Sequence, residues 1–137
     1  MTTPDFLAQI YRTICKFHDF TIQRHGGLPG FRDEGLLRLA IERPWMTVFG
    51  EPLYSTVFLR AAAIGDGIVR SHPFNDGNHR SALAGTHLIL GLSGLQLAAS
   101  ANEQRDYIRA LGTAEGPSME DFAAWLQRNS VLRAISN

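Results

Sequence analysis

Residues 58–92 of the chain read FLRAAAIGDGIVRSHPFNDGNHRSALAGTHLILGL. In this stretch, two segments with apolar residues at helical spacing flank a short polar segment. Pro73 cannot continue the first helix, and Gly77 permits the left-handed backbone that a tight turn needs. The stretch therefore predicts two long helices joined by a short loop, the central feature of an all-α fold.

The rest of the chain has the same helical character. Capping residues, prolines and glycines divide it into further helices with short connections. Residues 44–54 mix β-forming residues with glycine and proline, which predicts a loop or a short hairpin flap. The predicted elements, in chain order, are a helix from Pro4 to about Arg24, a helix capped by Asp33 that ends before Pro44, the loop or hairpin of residues 44–54, a helix from Phe58 to about Ser71 capped by Ser55, a helix from about Asn78 to Leu92, a short extended segment over Leu95–Ala98, a helix from about Glu103 to Ala114, and a helix whose start carries the capping-box pair Ser118 and Asp121.

Length and element count indicate one domain. A chain of 137 residues has about the commonest domain size. We expect residues 1–137 to form a single all-α domain of about six helices with a short flap. The alternation of strands and helices that builds nucleotide-binding sheets is missing, so the pattern does not support a Rossmann or P-loop fold.

Charge and cysteine content exclude several classes of protein. The chain has 13 basic and 13 acidic residues, which argues against a protein that works mainly by coating nucleic acid or an anionic membrane. The single cysteine, Cys15, excludes an intramolecular disulfide and a cysteine-rich zinc site, and a reducing cytoplasm is the expected location. The uncharged stretch 81–102 is about as long as a membrane span, but Gly91 and Gly94 interrupt it, so we expect a buried helix there.

The segment between the two central helices concentrates side chains with catalytic potential. Residues 70–80 read RSHPFNDGNHR. The imidazole of His72 suits a proton acceptor near neutral pH, and the carboxylate of Asp76 is a hard oxygen ligand suited to Mg²⁺. Arg80 adds a guanidinium group whose geometry matches a phosphate. This set of side chains favours a site that handles a magnesium-bound nucleotide.

The backbone of the same segment predicts an anion-binding position. Asn78 and His79 open the next helix, where free amides and the helix dipole favour an anion, and Phe74 is predicted to turn inward as an anchor. Each feature alone has an ordinary structural explanation, because helix-ending histidines, Asp-Gly-Asn turns and solvated arginines are all common. Their combination in one short loop is what predicts a phosphate-handling site.

Other candidate residues have simpler explanations. Cys15 lies in the apolar first helix and is expected to be a small core residue rather than a nucleophile. The chain has no His-Glu-x-x-His motif and no cysteine pair, so histidines such as His18 are expected to be core or surface residues rather than zinc ligands. Arg105, Tyr107 and Arg109 are expected to form a solvated face of the fifth helix.

The segment His72–Arg80, HPFNDGNHR, resembles the Fic/Doc signature His-x-Phe-x-Asp/Glu-Gly-Asn-x-Arg. Features elsewhere resemble the Doc (death-on-curing) branch of that family, namely the turn Gly26–Gly30, Asp33, the Ser-Ala-Leu run of residues 81–83, and Gly94. The resemblance implies an all-α Fic/Doc fold and an enzyme that transfers part of ATP to a protein hydroxyl.

The resemblance also implies a role for each residue of the motif. It implies that His72 deprotonates the target hydroxyl and that Asp76 holds Mg²⁺. Residues 46–54 are expected to form a flap that aligns the target segment by strand-like pairing. The residues for which the resemblance implies phosphate or ATP binding are Arg70, Gly77, Asn78, His79 and Arg80.

Three positions depart from the family pattern. Typical Fic adenylyltransferases have Gly at the position of His79 and a second Arg at that of Leu83, so the adenylylating pose of ATP is disfavoured. Doc toxins bind ATP in the opposite sense, transfer its γ-phosphate, and have Lys at the position of His79. Ala84 stands where the best-known Doc pattern has a phosphate-contacting Asn. The substitution by histidine predicts activity that is low or that rises at mildly acidic pH.

Three functions remain open at this point. The first is a Doc-like toxin of a type II toxin–antitoxin system, a Mg-ATP-dependent kinase of a Ser or Thr hydroxyl on elongation factor Tu, restrained in trans by an antitoxin protein. The second is a Fic-type protein adenylyltransferase. The third is a catalytically weak Fic module that binds nucleotide or a partner. No direct contact with nucleic acid or a membrane is expected of any of them.

Overall fold

The computed structural model describes residues 3–134, so both ends of the predicted domain 1–137 lie outside the described residues. The predicted all-α class is confirmed. The described residues form six α-helices, which are α1 (Pro4–His25), α2 (Glu34–Glu42), α3 (Val57–Ser71), α4 (Asn78–Leu92), α5 (Ala101–Leu111) and α6 (Met119–Asn129).

The pair α3 and α4 forms the centre of the fold, and α3 also packs against α2 and α6. Glycine lets these helices approach closely. A Cβ atom at Gly65 of α3 would lie 2.5 Å from Oγ1 of Thr86 and 3.0 Å from the ring of Phe122. The hydroxyl of Thr86 donates to the carbonyl of Ala61 at 3.1 Å. This close packing fixes the positions of α3 and α4 relative to each other. The polar loop joins the end of α3 to the start of α4.

The hydrophobic core surrounds α3 and draws on all six helices. Burying one large apolar side chain contributes about 1.5–3 kcal/mol to the stability of a protein. The core around α3 can therefore stabilise the fold without a disulfide or a metal. The largest fully buried apolar side chains are Ile14, Leu37, Ile64, Ile68, Ile89, Leu90, Ile108, Leu111, Phe122 and Leu126.

A short 3-10 helix over Arg43–Trp45 and two antiparallel sheets of two strands each complete the described structure. Strands β1 (Thr47–Val48) and β2 (Glu51–Pro52) pair with each other, so of the loop or hairpin predicted for residues 44–54 the hairpin is confirmed. Strand β3 (Leu95–Leu97) confirms most of the predicted extended segment and pairs with β4 (Ser130–Leu132). We did not predict β4, because a three-residue strand is recognisable only from its partner, and that partner lies far away in the sequence.

The predicted cap of α3 is wrong by one residue. The hydroxyl of Thr56, not that of Ser55, accepts the N–H of Leu59 at 3.1 Å, and the helix begins at Val57. Adjacent hydroxyl residues are both good N-caps, so composition cannot choose between them. The backbone conformation identifies Thr56 as the cap, because this residue has the extended conformation of an N-cap residue.

The start of α5 is set by a capping box that the prediction missed. The hydroxyl of Ser100 accepts the N–H of Glu103, whose carboxylate accepts the N–H of Ser100. The helix therefore begins before Glu103, and it ends at Leu111, earlier than predicted. The predicted capping box of Ser118 and Asp121 at the start of α6 is confirmed.

The uncharged stretch 81–102 divides between most of α4, strand β3 and the start of α5. Ala82 and Leu90 within it are fully buried in the core. Within residues 3–134, no helix has the length and apolar character needed to cross a membrane.

Candidate functional site

His72 ends α3 at the edge of the polar loop. Its backbone is left-handed, with φ 52° and ψ 62°, and its N–H donates to the carbonyl of Ile68 at 3.1 Å. A non-glycine residue in an unusual backbone region costs about 1–3 kcal/mol, so neighbouring contacts must hold it there. The imidazole is exposed and accessible to a hydroxyl of another protein.

Arg32 supports the same end of α3. Its guanidinium donates to the carbonyl of His72 at 2.7 Å and also to the carbonyl of Ser71. A cation at a helix C-terminus is favourable, and the last carbonyls of a helix lack helical partners. The sequence gives no signal of this contact, because the partners are 40 residues apart.

The glycine-rich turn before α2 runs beside the loop and hydrogen bonds to its backbone. The N–H groups of Arg32 and Asp33 donate to the carbonyl of Pro73 at 2.8 and 2.9 Å. The N–H of Asn75 donates to the carbonyl of Gly30 at 3.1 Å. Asp33 occupies the predicted N-cap position of α2, but its side chain makes no capping bond. One side of the loop is thus fastened to a second segment of chain.

The carboxylate of Asp76 faces this turn. Its Oδ2 accepts the N–H of Leu28 at 2.6 Å. Gly27, with φ +112°, has little room for a side chain, since a Cβ there would lie 3.1 Å from the Cβ of Asp76. Within residues 3–134, Oδ1 of Asp76 has no protein hydrogen bond, so one oxygen is held while the other is available to a ligand.

A buried histidine holds the loop from α1. His18 is 1% exposed, and its ring stacks on Phe74 with the ring centroids 3.8 Å apart. Its Nε2 lies 2.7 Å from the carbonyl oxygen of Asp76. Because a carbonyl only accepts, Nε2 carries the proton. The prediction that His18 is a core or surface residue is confirmed, but its hold on the loop was missed, since the two residues are 58 positions apart.

Phe74 turns inward as predicted and is 2% exposed. Asn78 closes the loop around it, because its Oδ1 accepts the N–H of Phe74 and its Nδ2 donates to the carbonyl of Phe74, both at 2.9 Å. The amide side chain of Asn78 is therefore occupied. Any contact of this residue with a phosphate would come from its backbone N–H.

Gly77 is the N-cap of α4, with φ 79° and ψ 19°. A Cβ at this position would lie 3.2 Å from Cδ2 of His18, so both the backbone conformation and the packing favour glycine. Gly77 has no side chain with which to cap the helix, so the first amides of α4 have no such acceptor.

A cavity of about 240 Å³ lies between the start of α4 and the side of α5. Leu83 and Ile108 supply apolar wall, and the other lining residues are Gly77, Asn78, His79, Arg80, Arg105 and Arg109. Four of the five predicted phosphate-binding residues thus meet at one cavity. His72 and Asp76 lie on the adjoining loop and do not line it.

The prediction of a solvated face on α5 is wrong in part. Arg105 and Arg109 are exposed, but they line this cavity. Tyr107 is half-buried and stacks on Trp125 and Phe122, with ring centroids 4.4 and 5.4 Å apart, and burial raises its pKa. Both partner rings belong to α6, so the periodicity of α5 alone could not reveal the contact.

The pKa of His79 is lowered from its ordinary value. Partial burial is the largest cause, followed by electrostatic interactions with His72 and Arg109. The imidazole of His79 is therefore neutral at pH 7. The permanent positive charge of the cavity comes from its arginines.

Arg70 is not brought to this cavity. Its Nε donates to Oδ1 of Asp66 at 2.7 Å, and its Nη2 donates to the carbonyl of Pro117 at 3.3 Å. Asp66 is 3% exposed and also accepts Nη1 of Arg43 at 3.0 Å. Arg43 in turn donates to the hydroxyl of Tyr54 at the end of the hairpin segment. The structure therefore places Arg70 in an ion-pair network, apart from the other predicted phosphate-binding residues.

The donor set limits the kind of metal that fits. Within the described residues, no group of three or more His, Cys, Asp or Glu side chains is placed to hold a metal ion. Asp76 is the predicted metal ligand and stands as a single carboxylate.

Cys15 packs against the core, and burial raises the pKa of its thiol, which disfavours a thiolate nucleophile.

Sequence comparison with known proteins identifies the family of this chain. The sequence model of the Fic/DOC family matches residues 9–90, more than half of the chain. The chain is 40% identical over 80 residues to "Toxin Doc" of Mycolicibacterium smegmatis, covering 58% of this chain and 62% of that protein. It is 38% identical over 84 residues to "Protein kinase doc" of Escherichia phage P1, covering 61% and 66%.

The chain thus spans just under two thirds of the length of these curated relatives. The matched family region contains the polar loop together with the glycine-rich turn and the buried histidine that hold it. The expected resemblance is confirmed: the chain belongs to the Fic/DOC family.

Proposed function

We propose that this chain is a Doc-like toxin of a type II toxin–antitoxin system, a kinase that transfers phosphate from Mg-ATP to a Ser or Thr hydroxyl of a translation factor. The target expected from the resemblance is elongation factor Tu. The observation that carries the proposal is the loop, which sets the exposed imidazole of His72 and the carboxylate of Asp76 beside a basic cavity. The relative named as a protein kinase supports phosphate transfer, and the one named as a toxin supports the biological role.

In the proposed reaction the target hydroxyl oxygen attacks the γ-phosphorus of ATP. His72 accepts the hydroxyl proton, so its imidazole must be neutral at the start. The bond between the γ-phosphorus and the bridging oxygen breaks, and ADP leaves with that electron pair. Arg80 and the first amides of α4 would stabilise the negative charge on the phosphates.

Asp76 fits the role of magnesium ligand. Magnesium binds through one or two carboxylates plus substrate phosphates and keeps several waters. One carboxylate, with one oxygen fixed by Leu28 and the other available, matches that demand. When bound, Mg²⁺ would neutralise charge on the ATP phosphates.

The hairpin offers a place for the target segment. The exposed apolar side chains of the proposed flap, residues 46–54, include Met46, Val48 and Leu53. Phe49 at its tip is fully exposed. A short exposed hairpin with an aromatic tip suits strand-like pairing with an extended peptide.

A groove between α1 and α4 supports the proposed antitoxin partner. It has a volume of about 610 Å³ and an apolar lining that includes Ile14, Phe17, Leu83 and Leu88. Such a groove suits the apolar face of an amphipathic helix. An antitoxin helix lying there would act in trans.

The experiment that tests the proposal is intact-mass spectrometry of elongation factor Tu after incubation with this protein, ATP and Mg²⁺. We expect a mass gain of one phosphate. The His72→Ala variant should abolish the gain, because removing a general base typically costs about 10²–10⁴-fold in rate. His25→Ala, a matched change at the exposed last residue of α1, should leave it intact.

Three other outcomes of this experiment would contradict all or part of the proposal. A gain the size of adenylate would favour the adenylyltransferase alternative and overturn the kinase proposal. No gain with any protein target, combined with measurable ATP binding, would favour the weak binding module. A phosphate gain that persists in His72→Ala would remove His72 from the proposed mechanism.

A further inference from the structure

The cavity between α4 and α5 has a second basic wall. α4 supplies His79 and Arg80, and α5 supplies Arg105 and Arg109. The two α5 residues are four positions apart, so they lie on the same face of that helix. No acidic residue is among the described residues that line the cavity.

These arginines form no ion pair with a carboxylate within the described structure. The arginine–carboxylate ion pairs of residues 3–134 involve Arg38, Arg43 and Arg70. Arg105 hydrogen bonds to the uncharged side chain of Asn102. Clustered like charges without a counter-charge repel each other and attract an anion.

The field of this wall reaches across the cavity. The positive charge of Arg109 contributes to lowering the pKa of His79 on the opposite helix. The two walls therefore act electrostatically on the same space. A bound anion would be attracted by both.

We propose that Arg105 and Arg109 of α5 bind the polyphosphate of the nucleotide, so that the cavity selects ligands by the number of linked phosphates. This inference rests on the proposed function, and it assigns residues that the sequence motif does not contain. Guanidinium groups bind phosphate through two parallel N–H···O bonds. At about 240 Å³ the cavity is smaller than a typical site for a drug-sized ligand, so it suits the phosphates rather than the base and ribose.

The test uses binding rather than turnover. Purified protein is titrated by calorimetry at low ionic strength, without Mg²⁺, with inorganic tripolyphosphate and then with ATP, ADP and AMP. We expect affinity to fall in the order ATP, ADP, AMP, with tripolyphosphate close to ATP. Arg109→Gln should weaken tripolyphosphate binding by about ten- to a hundredfold, because it removes a charge-assisted contact. Arg105→Gln should have a smaller effect in the same direction.

The matched control is Arg128→Gln. Arg128 is also exposed and lies on the neighbouring helix α6, so the change in net charge is the same. We expect less than a twofold effect on tripolyphosphate affinity. Arg109→Lys keeps the charge and should retain part of the binding. A melting curve for each variant confirms that the protein is folded.

The outcomes separate this inference from the proposed function. Tripolyphosphate binding that is absent, unchanged in Arg109→Gln, or weakened equally in Arg128→Gln would overturn the inference. Phosphate transfer to elongation factor Tu by Arg109→Gln at an unaltered KM for ATP would overturn it too, while the kinase proposal stands. Tripolyphosphate binding that depends on Arg109, without any phosphate transfer, would support the inference and count against the kinase.

Discussion

The loop between α3 and α4 has two sides that differ in how their polar groups are satisfied. On the packed side, the ring of His18, the guanidinium of Arg32 and the N–H of Leu28 bond to loop oxygens. On the open side, the cavity presents Arg80 and Arg109 with no carboxylate in its lining. On the packed side the polar groups have hydrogen-bond partners within the protein. On the open side an anion would be the partner of the arginines.

The difference separates positioning from binding. Hydrogen bonds on the packed side fix the backbone that carries His72 and Asp76, so substitutions there should first change stability. Charges on the open side make no ion pair in the described structure, so substitutions there should first change ligand affinity. The following predictions test this division, beginning with the largest expected effect.

His18→Ala should lower the free energy of unfolding by about 2–4 kcal/mol, because it removes a buried ring and the donor to Asp76. The measurement is chemical denaturation of the variant and the parent. His18→Phe keeps a ring against Phe74 but removes the hydrogen bond, so it should cost less. A variant His18→Ala that is as stable as the exposed control His25→Ala would show that the packed side is not held in this way.

Gly27→Ala should lower the free energy of unfolding by about 1–3 kcal/mol, because alanine is strained at φ +112° and its Cβ would crowd Asp76. Gly26→Ala is the matched control. Gly26 also has a positive φ, +84°, but a Cβ there would meet nothing within 4 Å. The difference between the two variants in thermal melting isolates the close approach to Asp76. Equal losses would mean that backbone strain alone is responsible.

Arg32→Gln should lower the free energy of unfolding by about 1 kcal/mol, because the carbonyls at the end of α3 lose a charged donor. Arg12→Gln, at an exposed position on α1, is the comparison in the same denaturation experiment. Tripolyphosphate affinity should not change in Arg32→Gln. A large loss of affinity would contradict the division between the two sides, because it would show that a residue of the packed side also contributes to ligand binding.

Protonation of His79 should strengthen phosphate binding by a few-fold at about pH 5.5–6.5, near and below the ordinary histidine pKa. The pKa of His79 is lowered in the free protein, so the imidazole is neutral at pH 7 and above. A bound phosphate favours the charged form, so affinity rises as pH falls. Titrations from pH 8 to 5.5 with parent and His79→Gln check this, since the ligand's own ionisation is common to both. Parallel pH profiles would contradict it.

The central helices and their loop could be predicted closely from the sequence. Proline and glycine mark the ends of a local pattern, so the bounds of α4 and the inward turn of Phe74 follow from neighbouring residues. The contacts that fix the loop could not be predicted in this way. His18, Leu28 and Arg32 reach it across long stretches of chain.

The second basic wall was missed for a related reason. Arg105 and Arg109 fit the pattern of a solvated helix face, and they are indeed exposed. Only the packing of α5 beside α4 brings them to the same cavity as Arg80. Periodicity shows which residues share one helix face, but it does not show what that face meets.

Arg80 and Leu83 line both the basic cavity and the apolar groove between α1 and α4. The proposed nucleotide and the proposed antitoxin helix would both lie against these side chains, so their binding would be coupled. Thermodynamic linkage requires that a nucleotide in the cavity changes the affinity of a helix in the groove by the same factor as the helix changes that of the nucleotide. The concentration of ATP in the cell would therefore help to set how tightly a partner is retained in the groove.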